Sequence, residues 1–218
     1  MPNFLHGLTL SFSLVLAVLF SLVSPPPASA IPIQLKSDVY SVPEGLSQST
    51  VTSVAEDPDG YIWVGTVNGL NRFDGKSFKQ FFSNDGSGLN SSFIRSLIYS
   101  KKYQALIVGT DSGLSKYNPE TERFVDVNVS EPVLSIDENE EKLFITTPKN
   151  TYTFNDISEK PIHKNATSVK NIKSGILINN SEYILTYSGE LLHNNKTISL
   201  NIENIEKISD SLYAAKKR

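Results

Sequence analysis

Few side chains in this sequence are spaced for chemistry, and the clearest group is Asp57-Pro58-Asp59-Gly60. Two carboxylates so close together offer hard oxygen ligands of the kind Ca²⁺ collects. The same four residues spell a tight turn, because Pro presets φ and Asp-Gly tolerates a chain reversal. The turn reading is preferred, since the matching stretch of a later repeat is Lys101-Lys102-Tyr103-Gln104 and no array of carboxylates exists. Trp63, the single tryptophan, has a face that could stack on a sugar or another ring. Packing between neighbouring structural units is the preferred role. His6, His163 and His193 are the only histidines, and there is no cysteine, so no zinc or iron ligand spacing is present. No serine sits in a Gly-x-Ser-x-Gly turn, and no glycine loop suits a phosphate. Glu138-Asn139-Glu140-Glu141 reads as the solvated crown of a hairpin. The residues assign no catalytic group, no metal site and no cofactor.

The elements that position these side chains come from an internal repeat, the first thing to seek in any sequence. One unit contains Gly45-Leu46-Ser47, Val51-Thr52-Ser53-Val54, Ile62-Trp63-Val64-Gly65-Thr66, Gly69-Leu70 and Arg72-Phe73. The next contains Gly88-Leu89-Asn90, Ile94-Arg95-Ser96-Leu97, Leu106-Ile107-Val108-Gly109-Thr110, Gly113-Leu114 and Lys116-Tyr117. Gly65 and Gly109, Gly69 and Gly113, and Phe73 and Tyr117 are each 44 residues apart. Weaker copies run through Val133–Ile136, Leu143–Thr147 and Tyr152–Phe154, then through Gly175–Ile178, Tyr183–Tyr187 and Gly189–Leu192. A fifth begins at Ile205–Ile208 and Leu212–Ala215.

Each unit alternates short apolar runs with turn residues, the pattern of consecutive antiparallel strands. Four strands at a spacing of about 40–45 residues is the pattern of a β-propeller blade. The predicted fold is all-β: about four four-stranded antiparallel blades plus the start of a fifth, with the ring incomplete. The predicted blades span about 46–87, 88–130, 131–166 and 167–202, with a partial unit at 203–218. Asp38-Val39-Tyr40-Ser41-Val42 resembles the end of a unit and is expected to be a strand.

The first thirty residues belong to a different class. Leu8 to Val23 is an unbroken apolar and small stretch, followed by Pro25-Pro26-Pro27 and Ala28-Ser29-Ala30. That order is a secretory signal peptide over 1–30, with cleavage after the small residues Ala28 and Ala30. The stretch is shorter than the roughly 20 residues a membrane span needs; an uncleaved inner-membrane anchor is the competing reading. Export to the periplasm follows. The remainder, 31–218, mixes 20 basic with 23 acidic residues and has no basic face beyond Lys216-Lys217-Arg218, which excludes nucleic acid as the expected partner. Asn-x-Ser/Thr triplets at Asn90, Asn128, Asn165 and Asn195 carry no assigned function.

Leu46-Ser47, Val51, Asp57, Asp59-Gly60, Ile62–Thr66 and Gly69–Gly75 together resemble the two-component regulator propeller repeat. The resemblance is good over about Gly45 to Phe124 and marks Trp63, Gly65, Thr66, Gly69, Leu70, Gly109, Thr110, Gly113 and Leu114 as the structural motif. It implies the periplasmic sensor region of a bacterial signalling protein that binds an unknown small molecule or glycan. The parent would be membrane-anchored and dimeric, with a histidine kinase or diguanylate cyclase output. The chain itself would then be a non-enzymatic fragment lacking the membrane helix and output, whether a truncated gene product, a pseudogene piece or an artificially shortened chain. An exported propeller lyase, or a structural or protein-binding propeller, is the alternative.

Overall fold

The computed structural model describes residues 37–157, 162–165, 169, 171–209 and 212–217. The stretch read as a signal peptide, with Ala28 and Ala30, lies outside the described residues.

The repeat folds as a series of sheets. Strands β1 (Val51–Glu56), β2 (Ile62–Thr66), β3 (Gly69–Phe73) and β4 (Phe78–Phe81) pair in chain order. The second sheet is β5 (Ile94–Ser100), β6 (Ala105–Thr110), β7 (Gly113–Asn118) and β8 (Arg123–Asp126). The third is β9 (Ser135–Glu138), β10 (Leu143–Thr146), β11 (Asn150–Phe154) and β12 (Ile162–Asn165). The fourth is β13 (Ile172–Ile178), β14 (Ser181–Thr186), β15 (Leu191–His193) and β16 (Lys196–Ser199), and a hairpin of β17 (Ile202–Ser209) and β18 (Leu212–Lys217) follows. All pairings are antiparallel. The architecture is a β-propeller of four-stranded blades whose ring is not closed.

Strand parity explains how one blade grips the next. Successive residues of a strand point to opposite faces. Leu106 and Val108 of β6 therefore join a core with Trp63, Leu70 and Ile94 of the first two blades. Ile107, between them, joins Leu143 and Ile145 of the third blade. Phe144 turns the other way, to Ile172 and Leu177 of the fourth. A strand buried on both faces reads as a continuous apolar run, and every residue of β6 is buried. The first blade shows the contrast: Val51 and Val54 are 46% and 58% exposed, whereas their counterparts Ile94 and Leu97 are 0% and 8% exposed.

The first strand of the first, second and fourth blades carries an irregularity at the same place, between Val51 and Ser53, Ile94 and Ser96, and Ile172 and Ser174. Such bulges bend a strand and increase its twist. The Ser53 hydroxyl accepts the Leu97 amide of the next blade at 2.8 Å, and Ser135 does the same for Gly175 at 2.8 Å.

One expectation fails. Residues 38–41 form no strand, and Val42–Glu44 is a 3₁₀ turn. Glu44 accepts the Ser41 amide at 2.7 Å, and Gly45 adopts φ 108°. Pro43 lacks the amide a strand ladder needs. Tyr40 instead lays its ring 4.9 Å from that of Phe73 and 5.9 Å from that of Phe78, on the outside of the first blade.

Candidate functional site

The motif residues are interior parts. Thr66 and Thr110 are fully buried at the ends of β2 and β6. Thr66 Oγ1 donates to the Gly69 carbonyl at 2.8 Å and accepts the Asn68 amide at 3.1 Å. Thr110 repeats this with the Gly113 carbonyl at 3.0 Å and the Ser112 amide at 3.1 Å. Thr147 serves the third blade through the Asn150 carbonyl at 3.0 Å, and Thr186 the fourth through the Glu190 amide at 3.1 Å. Each hydroxyl satisfies backbone groups of a tight turn that would otherwise be buried unpaired. Gly113 requires its residue type twice over: φ is 142°, and a Cβ would stand 2.0 Å from the Val129 carbonyl oxygen. Leu70 and Leu114, one residue after Gly69 and Gly113, are both fully buried.

Trp63 is 1% exposed. Its ring packs 5.7 Å from Phe81 of its own blade and 4.8 Å from Tyr117 of the next. Its indole Nε1 donates to Asp57 Oδ2 at 2.7 Å. The other Asp57 oxygen accepts the amides of Asp59 at 3.1 Å and Tyr61 at 3.0 Å. The Asp57 carboxylate is thus committed to the turn and to the tryptophan.

Side chains converge elsewhere, on the face formed by the hairpins that join the first two strands of each blade. A cleft of about 610 Å³ opens there between the second and third blades. It is lined by Ile98, Tyr99, Lys101, Lys102, Glu138, Asn139 and Glu140. The cleft offers ammonium, carboxylate, amide and phenol groups beside the one aliphatic side chain of Ile98, which suits a polar solute with both donors and acceptors. Lys101 and Glu140 are both exposed and stand on the hairpins of adjacent blades.

Glu138 builds the wall of this cleft. It bonds the Ser100 hydroxyl and accepts the Lys101 amide at 3.1 Å. The second blade lacks an acid like Asp57 in its own turn, so the third blade supplies one. Lys102 Nζ donates to the Glu141 carbonyl and lies 5.5 Å from the centre of the Tyr103 ring. Burial, with help from the charges of Asp156 and Glu138, pushes the Tyr103 phenol up to about 12. Asn139 donates to Asn180 Oδ1 of the fourth blade at 3.2 Å, and Asn180 donates to Glu141. The acidic run lies on the β9–β10 hairpin with Glu140 and Glu141 exposed, and it also links three blades. The available signal was the unpaired turn at Ser100-Lys101-Lys102, whose amides require an acceptor.

Of the histidines, His6 lies outside the described residues and His163 is in β12. His193 stacks on Tyr183 at 4.6 Å, and its Nδ1 is 3.1 Å from the Glu182 carbonyl. Among the described residues no group of three or more His, Cys, Asp or Glu is placed to hold a metal ion.

Residues 45–68 match the family model "Two component regulator propeller". The chain carries a two component regulator propeller repeat. That repeat holds Asp57, Trp63, Gly65 and Thr66, the residues that organise the first blade. A stretch of 41 residues, 19% of the chain, is 51% identical to Histidine kinase P4 of Formosa agariphila and spans 3% of that protein. The fold resembles the extracellular domain of the putative hybrid two component system BT3049 of B. thetaiotaomicron, with TM-score 0.70 and 19% identity. That likeness covers 83% of this chain and 29% of the other. The corresponding domain of BT4673 gives TM-score 0.63 at 18% identity, over 77% of this chain and 28% of that one. The chain spans under a third of the length of these solved propellers.

Proposed function

We propose that this chain is part of an extracytoplasmic propeller that senses a ligand for a two-component signalling protein. The observation that carries this reading is the regulator propeller repeat at 45–68, together with the 51% identical segment in a histidine kinase. The parent's output is then a histidine kinase, and a diguanylate cyclase is the less favoured alternative. The likeness to extracellular domains supports export, and among the described residues no helix is long and apolar enough to cross a membrane.

The cleft between the second and third blades is the ligand site in this proposal. Its charges sit on hairpins of adjacent blades, so a ligand bridging Lys101 and Glu140 pulls two blades together. The ligand class is a small polar molecule or glycan. Thermal unfolding of the full chain against a panel of small polar solutes and oligosaccharides tests this. A ligand at a hundred times its dissociation constant stabilises by about 2.7 kcal/mol, a shift that melting resolves. The stabilisation should disappear in Lys101→Ala and Glu140→Ala. A panel in which no member raises the melting temperature, or a shift both variants retain, refutes the assignment.

A further inference from the structure

A second, smaller cavity lies between the first and second blades; it shares Tyr99 with the cleft described above, whereas Asp59 and Trp63 line this cavity and not the cleft. It measures about 120 Å³. Since water occupies about 30 Å³ of liquid, it holds about four groups of that size. Its walls include Trp63, Tyr99 and Tyr117, with the carboxyl-bearing turn of Asp57 and Asp59 beside them. No lysine or arginine lines it; the rest is Pro58, Gln104, Ala105, Leu106 and Pro119.

The two acids differ. Asp57 is spent on the Trp63 indole and the turn amides. The Asp59 carboxylate is exposed and, among the described residues, makes no hydrogen bond or ion pair. Burial first, then the charges of Asp57 and Asp59, hold the Tyr99 phenol above its usual range, so the negative field reaches the cavity wall. Arg72 also touches this aromatic group, donating to the Tyr117 hydroxyl at 3.0 Å and lying 5.7 Å from the centre of the Trp63 ring; it is paired with Glu122 at 3.0 Å and does not line the cavity. Aromatic faces attract cations through their quadrupole, and a nearby carboxylate adds direct charge attraction.

We infer that this cavity binds a primary ammonium on a short alkyl stem. The stem packs against the aromatic walls and the ammonium faces Asp59. Such a group arrives either as a free amine or as the side chain of a lysine.

Trp63 is the only tryptophan and forms part of the wall, so its emission reports occupancy directly. The full chain is titrated with n-propylammonium chloride, with sodium chloride at matched ionic strength and with n-propanol as controls. A saturable change with the amine alone is expected. Asp59→Asn and Tyr99→Leu should each weaken binding about five-fold or more, in line with charge and cation–π contributions. Far-ultraviolet circular dichroism verifies that each variant keeps its sheet content; loss in folded Asp59→Asn supports the site, and loss in Tyr99→Leu alone, a residue shared with the larger cleft, overturns it. Nα-acetyl-lysine methylamide distinguishes the two sources. Binding tighter than propylammonium identifies a polypeptide lysine, and binding of the free amine alone identifies a small metabolite. A response that salt or propanol reproduces, or that survives both substitutions, overturns the inference.

Discussion

Gly65→Ala is expected to destabilise the chain because of one neighbour, Ile94. Gly65 lies outside the left-handed region of φ, so alanine meets no backbone strain there. Such a replacement ordinarily stabilises by about 0.4–1 kcal/mol, through lost freedom of the unfolded chain. Here an added Cβ would lie 2.6 Å from Ile94 Cγ2 and 3.0 Å from Ile94 Cβ. Carbon atoms prefer about 3.5–4.0 Å. Ile94 is fully buried at the start of β5, between blades, and its Cβ is fixed by the backbone. Overpacking of this kind costs about 1–3 kcal/mol, which outweighs the entropic gain and sets the sign. With a urea slope of about 1–3 kcal/mol/M, the midpoint should fall by about 1 M. Ile94→Ala alone should cost about 2–5 kcal/mol by leaving a cavity. In that background the new methyl enters space the isoleucine vacated, so Gly65→Ala should cost much less. The assay is a double-mutant cycle in urea, read by Trp63 emission. A favourable coupling of about 0.5–3 kcal/mol is expected, whereas additivity within about 0.5 kcal/mol refutes the argument. So does a Gly65→Ala variant more stable than the parent.

Three further outcomes follow from the contacts. Asp57→Ala leaves the buried Trp63 indole without an acceptor and should cost about 1–3 kcal/mol; chemical denaturation together with the position of the tryptophan emission band measures this. Lys142 and Glu182 pair at 3.3 Å with side chains only 15% and 14% exposed, whereas Arg95 and Asp111 are 33% and 46% exposed. Lys142→Met should therefore lower the urea midpoint more than Arg95→Met, the exposed pair being worth about 1 kcal/mol or less; equal shifts would show that burial does not govern them. Tyr152 is raised to about 12, by burial first and then by its bond to Glu131. A neutral phenol favoured by the fold contributes stability that is complete below pH 10 and lost as pH rises towards 12. Tyr152→Phe should flatten that alkaline loss in a pH series of melting temperatures.

The sequence showed the first two blades clearly because both put the small residue on the same side of the blade interface. Gly65 faces Ile94, and Gly109 faces Val133. Recurrence of Gly-Thr and Gly-Leu at one spacing follows directly. Between the third and fourth blades the bulk is exchanged: Thr146 stands where a glycine stood, and Gly175 in β13 makes room, its own Cβ position being 2.4 Å from Thr146 Cγ2. The contact is conserved in volume while the motif dissolves, so only the apolar pattern survived there. Hairpin tips varied for a related reason. A turn needs positive φ, and Gly60 supplies it in the first blade, but Gln104, Asn179 and Asn180 supply it later. Asn128 and Asn195, which stood out as members of Asn-x-Ser/Thr triplets, adopt φ 58° and 60° and are turn residues of this kind.

The cleft was illegible for a different reason. Its wall is made by Glu138 reaching a turn 37 residues earlier in the chain, and no local pattern encodes such a reach. What the sequence did contain was a deficit: the Asp57 of the first repeat has no counterpart among Lys101-Lys102-Tyr103-Gln104. Backbone amides in a partly buried turn must find an acceptor, so a missing acid in one repeat implies a donated one from another. The consequence is mechanical as well as structural. The first blade closes its turn with its own carboxylate, while the second depends on the third, and Asn139 and Glu141 extend that dependence to the fourth. Under the proposed function, a ligand that competes for Lys102, whose ammonium bonds the Glu141 carbonyl, acts on a contact between the second and third blades. Interfaces between packed units shift between discrete arrangements more readily than the units deform. If the proposed cleft is occupied, the expected readout is therefore a change of relation between the second and third blades rather than within either one.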